Sequence, residues 1–273
     1  MIEGLNVRSN VGPVEILRSP YIELVYKRRA VISRAVIHIP DAVGDVRAAL
    51  STGQTVKIRF GYRGETNLWH EWEGTVEAID QPERREGNMD ALAIRCAGLE
   101  KALTATRITE SFYDEPASIV ASRLLSRTGL PVAGIDIPDV TLRHQVFSNV
   151  PVARALKQME QSLTRSFGHD MSRHAVWLGA DGLRWSAGDE PGAAISIETG
   201  HNLIEHTPPV VAGSMGKITS VLLPGLTDGR QVVIRDVRRQ VTETVRAQEV
   251  IHILKSGGNA TTVLYGKESG WGA

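Results

Sequence analysis

Residues 54–61, Gln54-Thr55-Val56-Lys57-Ile58-Arg59-Phe60-Gly61, alternate apolar and polar side chains almost strictly. Val56, Ile58 and Phe60 point to one face of an extended chain and Thr55, Lys57 and Arg59 to the other, which is the period of a half-buried strand. Gly61 and Gly64 interrupt the run. From Trp69 to Ile79 it resumes, with Glu71, Glu73 and Glu77 set apart by Trp72, Gly74 and Val76, so the two stretches read as an antiparallel pair.

The same style extends outward. Val14 to Leu17, Tyr21 to Tyr26 and Val31 to Ile39 are β-branched or aromatic runs broken by Ser19-Pro20 and Pro40-Asp41, and Leu92, Ile94 and Cys96 alternate with Ala91, Ala93 and Arg95. About six short strands with turn signals between them argue for an antiparallel barrel or sandwich. At the other end, Ile218 to Leu223 stops at Pro224-Gly225, and Gln231 to Ile234 follows Asp228-Gly229. Thr244 to Leu254 closes at Gly257-Gly258-Asn259, and Ala260 to Tyr265 returns as its hairpin partner. Four strands are few for a closed barrel, so this end is expected to complete its sheet with strands from elsewhere in the chain.

Between them the period changes to that of helices. Pro116 suits a first turn, Ala117, Val120, Ala121, Leu124 and Leu125 share a face, and Gly129 is the stop. A second helix is expected with Ser148 and Asn149 as caps, Pro151 near its start, the stripe Val152, Ala155, Leu156, Met159 and Leu163, and Gly168 at its end. Ala175 to Leu178 and Leu183 to Ser186, joined by Gly179-Ala180-Asp181-Gly182, read as a hairpin. The expected fold is α+β and mainly β: two antiparallel β-barrel-like domains, 1–107 and 199–273, joined by a small α/β insert over 108–198.

Composition removes several function classes. The 273 residues carry no formal net charge, with 42% hydrophobic and 23% charged residues, which disfavours bulk capture of nucleic acid or of an acidic membrane. The single cysteine, Cys96, excludes an intrachain disulfide and a cysteine-ligated zinc, and its place in an alternating strand suits a small buried hydrophobe. No apolar run is long enough to span a membrane, and Met1 to Gly12 lacks an apolar core for a signal peptide, so synthesis and folding in the cytoplasm are expected.

No catalytic motif stands out. His169 with His174, and His201 with His206, offer no converging ligand spacing, and no H-E-x-x-H is present, so neither metal nor cofactor is expected. Gly213-Ser214-Met215-Gly216-Lys217 has the wrong spacing for a phosphate loop and leads into a strand rather than a helix. Glu71, Glu73 and Glu198 are the acids that a cell-wall hydrolase could use, but Glu71 and Glu73 sit at strand period two, where outward acids are usually solvated. Basic side chains gather in Lys27-Arg28-Arg29, Arg84-Arg85 and Arg238-Arg239, which are candidates for phosphate or channel contact, against the plainer reading of solvated turns.

The order of these features resembles the late-control-D-type hub proteins of phage tails, including Mu-like prophage hubs and the related spike-hub domains of type VI secretion. The likeness is carried by Gln54 to Gly61 with Trp72-Glu73-Gly74-Thr75-Val76-Glu77, by Ala97-Gly98-Leu99 leaving the first barrel, and by the helix from Asp114-Glu115-Pro116 to Arg127-Thr128-Gly129-Leu130. It continues through Ala175-Val176-Trp177-Leu178 and Gly182-Leu183-Arg184-Trp185. It closes with Leu222-Leu223-Pro224-Gly225-Leu226, Glu249-Val250-Ile251-His252 and Thr261-Thr262-Val263-Leu264.

The resemblance implies a non-enzymatic homotrimer whose six barrels form a ring. Such a ring adapts a six-fold tail tube to a three-fold spike and leaves a channel for the tape-measure protein and DNA. It also implies a separate spike protein, no membrane insertion, and incorporation into a virion tail or tail-like particle after synthesis in the bacterial cytoplasm. Two other readings stand beside it: a tail-associated cell-wall hydrolase using Glu71, Glu73 or Glu198, and a nucleic-acid-binding module using the arginine pairs.

Overall fold

The structure, a computed structural model, describes residues 4–16, 21–28, 32–41, 44–62, 69–84, 90–211, 214–255 and 258–266. The chain forms two compact units. The first gathers the N-terminal residues up to Lys27 with Ser33–Leu99 and Pro191–Gly266, and the second holds Arg28 and Glu100–Glu190.

The first unit is one sheet of thirteen strands among the described residues. From one end the order is Leu203–Thr207, Met215–Val221, Ala260–Gly266, Val241–Leu254, Tyr21–Lys27, Arg34–Pro40 and Asp90–Gly98. It continues through His70–Arg84, Thr55–Tyr62 and Leu5–Val11 to Val14–Ile16. Gln231–Asp236 branches from Val241–Leu254 and pairs in parallel with Ile195–Glu198; every other pairing is antiparallel. The chain is thus mainly β. Period-two alternation is the cause: Val56, Ile58 and Phe60, like Ile22, Leu24 and Tyr26, lie in a single apolar core that also takes in Ile218, Val250 and Val263. Each such side chain contributes about 1.5–3 kcal/mol on burial, as an upper estimate.

The C-terminal segment holds six strands where four were expected, because Ile195–Glu198 and Leu203–Thr207 are also extended. It does take a strand from elsewhere: Val241–Leu254 pairs with Tyr21–Lys27, matching Val250 with Tyr26 and His252 with Leu24.

One five-strand order occurs twice in this sheet. Tyr21–Lys27, Arg34–Pro40, Asp90–Gly98, His70–Arg84 and Thr55–Tyr62 follow one another just as Leu203–Thr207, Met215–Val221, Ala260–Gly266, Val241–Leu254 and Gln231–Asp236 do. The correspondence holds at single hydrogen bonds. The Gly53 N–H donates to the Val76 carbonyl and the Val76 N–H to that of Gln54, as Gly229 donates to Ala247 and Ala247 to Arg230. Gly53 and Gly229 take the same left-handed conformation, φ 87° and 79°, which favours glycine at both turns. The register then shifts at matching places, between Val76 and Ala78 and between Ala247 and Glu249.

The second unit also repeats itself. Strand Arg107–Pro116 runs directly into helix Ala117–Ser126, and strand Thr141–Pro151 into helix Val152–Arg165. Each strand turns through a left-handed residue two positions before the proline, Asp114 at φ 49° and Asn149 at φ 50°. Ser148 and Asn149 are therefore strand and bulge rather than helix caps. The first helical N–H groups are satisfied from the opposite strand-helix pair, Ala117 by the Val140 carbonyl and Val152 by that of Thr106. The two strands pair antiparallel, and Phe112 meets Phe147 edge to face at 6.0 Å between ring centres. Both helices bury the predicted stripes, and Val132–Asp136, Ala175–Gly179 and Gly182–Ser186 add a small three-stranded sheet.

Gly74 lies where the Thr55–Tyr62 strand gives way to Asp90–Gly98, and a Cβ there would collide with the Ala97 carbonyl oxygen and the Trp72 ring. Gly74→Ala should destabilise the first unit by about 1–3 kcal/mol, the scale of overpacking. A lowered urea midpoint checks this, and an unchanged midpoint would show that the sheet opens freely at this point.

Candidate functional site

The structure treats the basic candidates one by one. Lys27 ends its strand and forms an ion pair with Glu249 across the junction of the two sheet halves, 3.0 Å apart. Arg28 is buried: its guanidinium lies 4.3 Å over the Trp177 ring and Nη2 donates to the Gly188 carbonyl. The Trp177 indole N–H in turn donates to Glu190 at 2.5 Å. Arg84 closes a strand opposite Asp90, while Arg29 and Arg85 lie outside the described residues, as does Gly213 of the glycine-rich segment. Arg238 is exposed, and Arg239 reaches Asp236 at 3.4 Å.

Asp236 organises that corner. It is almost fully buried, and one oxygen accepts the backbone N–H groups of Arg238 and Arg239 at 3.1 and 3.2 Å. The other accepts the Nδ1–H of the buried His206 at 2.9 Å. Burial pushes the Asp236 carboxyl up, but the hydrogen bonds from His206 and the Arg239 backbone, with their charges, outweigh it and hold the group below the usual carboxylate range. His206 Nε2 meets the Tyr265 hydroxyl at 2.7 Å, and that hydroxyl also reaches Glu243 at 3.1 Å. Tyr265 in turn seals Gly216, where a Cβ would strike its ring. The cluster ties the Ile195–Glu198 and Gln231–Asp236 branch to the Leu203–Thr207 end of the sheet.

A second polar network lies at the junction. The Leu223 N–H donates to Thr261 Oγ1 at 2.8 Å, Thr261 meets His252 Nδ1 at 3.0 Å, and His252 Nε2–H donates to the Leu226 carbonyl at 2.8 Å. His70 accepts the Gly225 N–H on Nδ1 at 3.2 Å, which places its proton on Nε2, facing the Tyr26 oxygen at 2.6 Å. Phe60 stacks on the His70 ring at 4.7 Å. The Pro224-Gly225 turn is thereby pinned to the core. Burial holds His252 down to about 4, and holds His70 well below its ordinary value with the nearby His252 adding to the effect.

The acids of the hydrolase reading stand apart, each in an exposed ion pair. Glu71 pairs with Arg59 at 2.8 Å, Glu73 with Lys57 at 3.5 Å, and Glu198 with Arg235 at 2.9 Å. The Ser196 hydroxyl, followed by the Arg235 and His201 charges, lowers the Glu198 carboxyl, the opposite of what a general acid requires. Cys96 is buried and burial pushes its thiol up to about 12. Among the described residues no cluster of three or more His, Cys, Asp or Glu is arranged to hold a metal ion, and no helix is long and apolar enough to cross a membrane.

What the first unit does expose is apolar. Ile204, Val210, Val211, Met215 and Val237 are its exposed large hydrophobic residues, and four of them lie on or beside the terminal strand Leu203–Thr207. Sequence periodicity did not find this strand. The signal available was Pro208-Pro209-Val210-Val211, prolines followed by apolar residues with no polar partner positions.

No protein-family model and no curated protein matches this chain. Solved structures do match over almost its whole length. A tail protein from Neisseria meningitidis MC58 superposes with a TM-score of 0.68 at 12% identity, covering 96% of each chain. The chain has the fold of phage tail proteins. The 43 kDa tail protein of prophage MuSo2 from Shewanella oneidensis gives 0.67 at 10% identity, covering 97% of this chain and 99% of that one. The E. coli c3393 protein, a component of the type VI secretion system, gives 0.63 at 9% identity over 99% of this chain and 79% of that one.

The buried histidines make stability depend on pH. Their folded values lie below the ordinary value near 6.5, so the unfolded chain takes up protons first as pH falls. Stability is therefore full above about pH 6.5 and drops toward pH 4, by up to about 1.4 kcal/mol per pH unit for each histidine. Urea midpoints at about pH 7 and about pH 5 should differ accordingly; equal midpoints would mean that His70 and His252 protonate freely in the fold.

Proposed function

We propose that this chain is the structural hub of a phage tail or tail-like injection machine, without enzymatic activity of its own. Three copies form a ring that meets a six-fold tail tube on one side and a three-fold spike on the other, with a central channel for the tape-measure protein and DNA. The observation that carries this is the repeat within one sheet. A chain holding two matching five-strand halves presents six such halves in a trimer, which is what a three-fold body needs to match a six-fold partner.

The three-part organisation, barrel-like halves over 1–107 and 199–273 with the insert 108–198 between them, fits this role. The likeness in fold to tail proteins and to a type VI secretion component supports the same setting. The tail tube protein and a separate spike protein are the partners, and the hub is made in the bacterial cytoplasm before joining the particle. Zero net charge suits a channel through which DNA slides. Of the basic candidates, Arg238, exposed and outside any ion pair among the described residues, is the best placed to touch a passing phosphate.

Light scattering across a wide concentration range, with imaging of the largest species, is the test. A trimer with an open centre is expected, alone or on mixing with tube and spike proteins. A monomer under every one of these conditions would contradict the hub. Clearing of bacterial walls in a zymogram, lost on replacing Glu71, Glu73 or Glu198, would replace it with the hydrolase.

A further inference from the structure

The two halves of the sheet match strand for strand, yet one strand edge is occupied in the first and open in the second. Within the chain, the later part of Val241–Leu254 has Ala260–Gly266 on one side and Tyr21–Lys27 on the other. Its counterpart is the later part of His70–Arg84, since Val76, Ala78 and Ile79 take the places of Ala247, Glu249 and Val250 on either side of the matching bulge. There the pairing with Thr55–Tyr62 stops at Thr75, so Glu77–Arg84 has a neighbouring strand, Asp90–Gly98, on one side only among the described residues. Ala78 and Ile79 are half-buried on this strand.

The strand that fills the occupied edge has its own counterpart. Tyr21, Ile22 and Glu23 pair with His38, Ile37 and Val36; Glu205, His206 and Thr207 pair with Thr219, Ile218 and Lys217 at the equivalent places. Leu203–Thr207 is a terminal strand paired only with Met215–Val221. Stepping along from these equivalences, Tyr26 corresponds to Val210 and Lys27 to Val211. Those two valines are 88% and 65% exposed, the former being the most exposed large hydrophobic residue of the described chain.

We infer that the segment from Leu203 to Val211 of one copy lies against the Glu77–Arg84 edge of the next copy, repeating between chains the junction that Tyr21–Lys27 makes with Val241–Leu254 inside each chain. Tyr26 faces Val250 in the internal junction, so Val210 faces Ile79 of the neighbouring copy, and Val211 faces Ala78. The occupant is a second copy of this chain because the open edge and the open strand are the two separated members of a pair that the same chain already makes once. Such a contact is head to tail and uses a different surface on each side, which is the kind that closes into a ring. Pro208 and Pro209 withhold two backbone donors, and Pro82 a third, so apolar packing of the valines replaces part of the ladder. The contact is accordingly weaker than its internal counterpart, and assembly is concentration-dependent.

The inference rests on the hub as proposed, and cross-linking separates the two. Residues directly opposite on antiparallel strands lie within disulfide reach, and Cys96, the only native cysteine, is buried. Full-length protein carrying both Ile79→Cys and Val210→Cys, assembled alone or with tube and spike proteins and oxidised, should run as covalent dimer and trimer on a non-reducing gel. Neither single variant should do so. Val210→Asp with Val211→Asp should leave the monomer's circular dichroism unchanged and abolish the ring. Rings of wild-type mass without cross-linking would overturn this contact and leave the hub standing. A covalent dimer from Val210→Cys alone would overturn it in favour of a two-fold contact, and absence of any ring under all conditions would overturn both.

Discussion

The pairing of Val241–Leu254 with Tyr21–Lys27 is the constraint on which the first unit depends. It joins residues more than two hundred positions apart, closes a loop that contains the whole second unit, and lets two half-sheets share one apolar core. Neither half could leave that edge bare without exposing both unpaired backbone groups and the inward row Ile22, Leu24 and Tyr26. Closing so long a loop costs little more than closing a shorter one, because the entropic cost grows only with the logarithm of length. The buried side chains along the junction offset that cost many times over.

Polar groups then fix where this sheet bends and stops. His252, His70 and Tyr26 sit at the junction with their hydrogen bonds directed to the Leu222–Leu226 turn, and His206 with Asp236 and Tyr265 does the same near the terminal strand. Burying such groups unpaired would cost roughly 1–3 kcal/mol each, so only a narrow set of strand positions satisfies them all. They act as registration pins. The exposed ion pairs along Thr55–Tyr62, between Lys57 and Glu73 and between Arg59 and Glu71, add little to stability by comparison.

Much of this was legible in the chain itself. Strict alternation at Val56, Ile58 and Phe60 gave both the strand and its buried face, and the stripes from Ala117 and Val152 gave the helices, because local periodicity reflects a single buried side. The reading failed where tertiary context decides. Asn149 looked like a cap, yet a left-handed residue before Pro151 lets a strand pass straight into a helix whose first donor is satisfied from Thr106. Leu203–Thr207 was missed because one of its faces is solvent and its inward residue is a histidine. Arg28 read as a solvated turn residue or a phosphate contact, and instead lies buried against Trp177. Neither internal repeat shows in the residue types, since Thr52-Gly53-Gln54 and Asp228-Gly229-Arg230 share little beyond the glycine; it is the matching bulges and hydrogen bonds that reveal the larger one.

The central claim is that one strand junction is used twice, inside each chain and between chains. Amide hydrogen exchange reports it directly by comparing residues 249–254, whose edge is filled in the monomer, with residues 77–84, whose edge is open. The account predicts slow exchange at 249–254 throughout, and fast exchange at 77–84 in dilute protein that becomes slow once the particle assembles. Continued fast exchange at 77–84 in the assembled particle would contradict it.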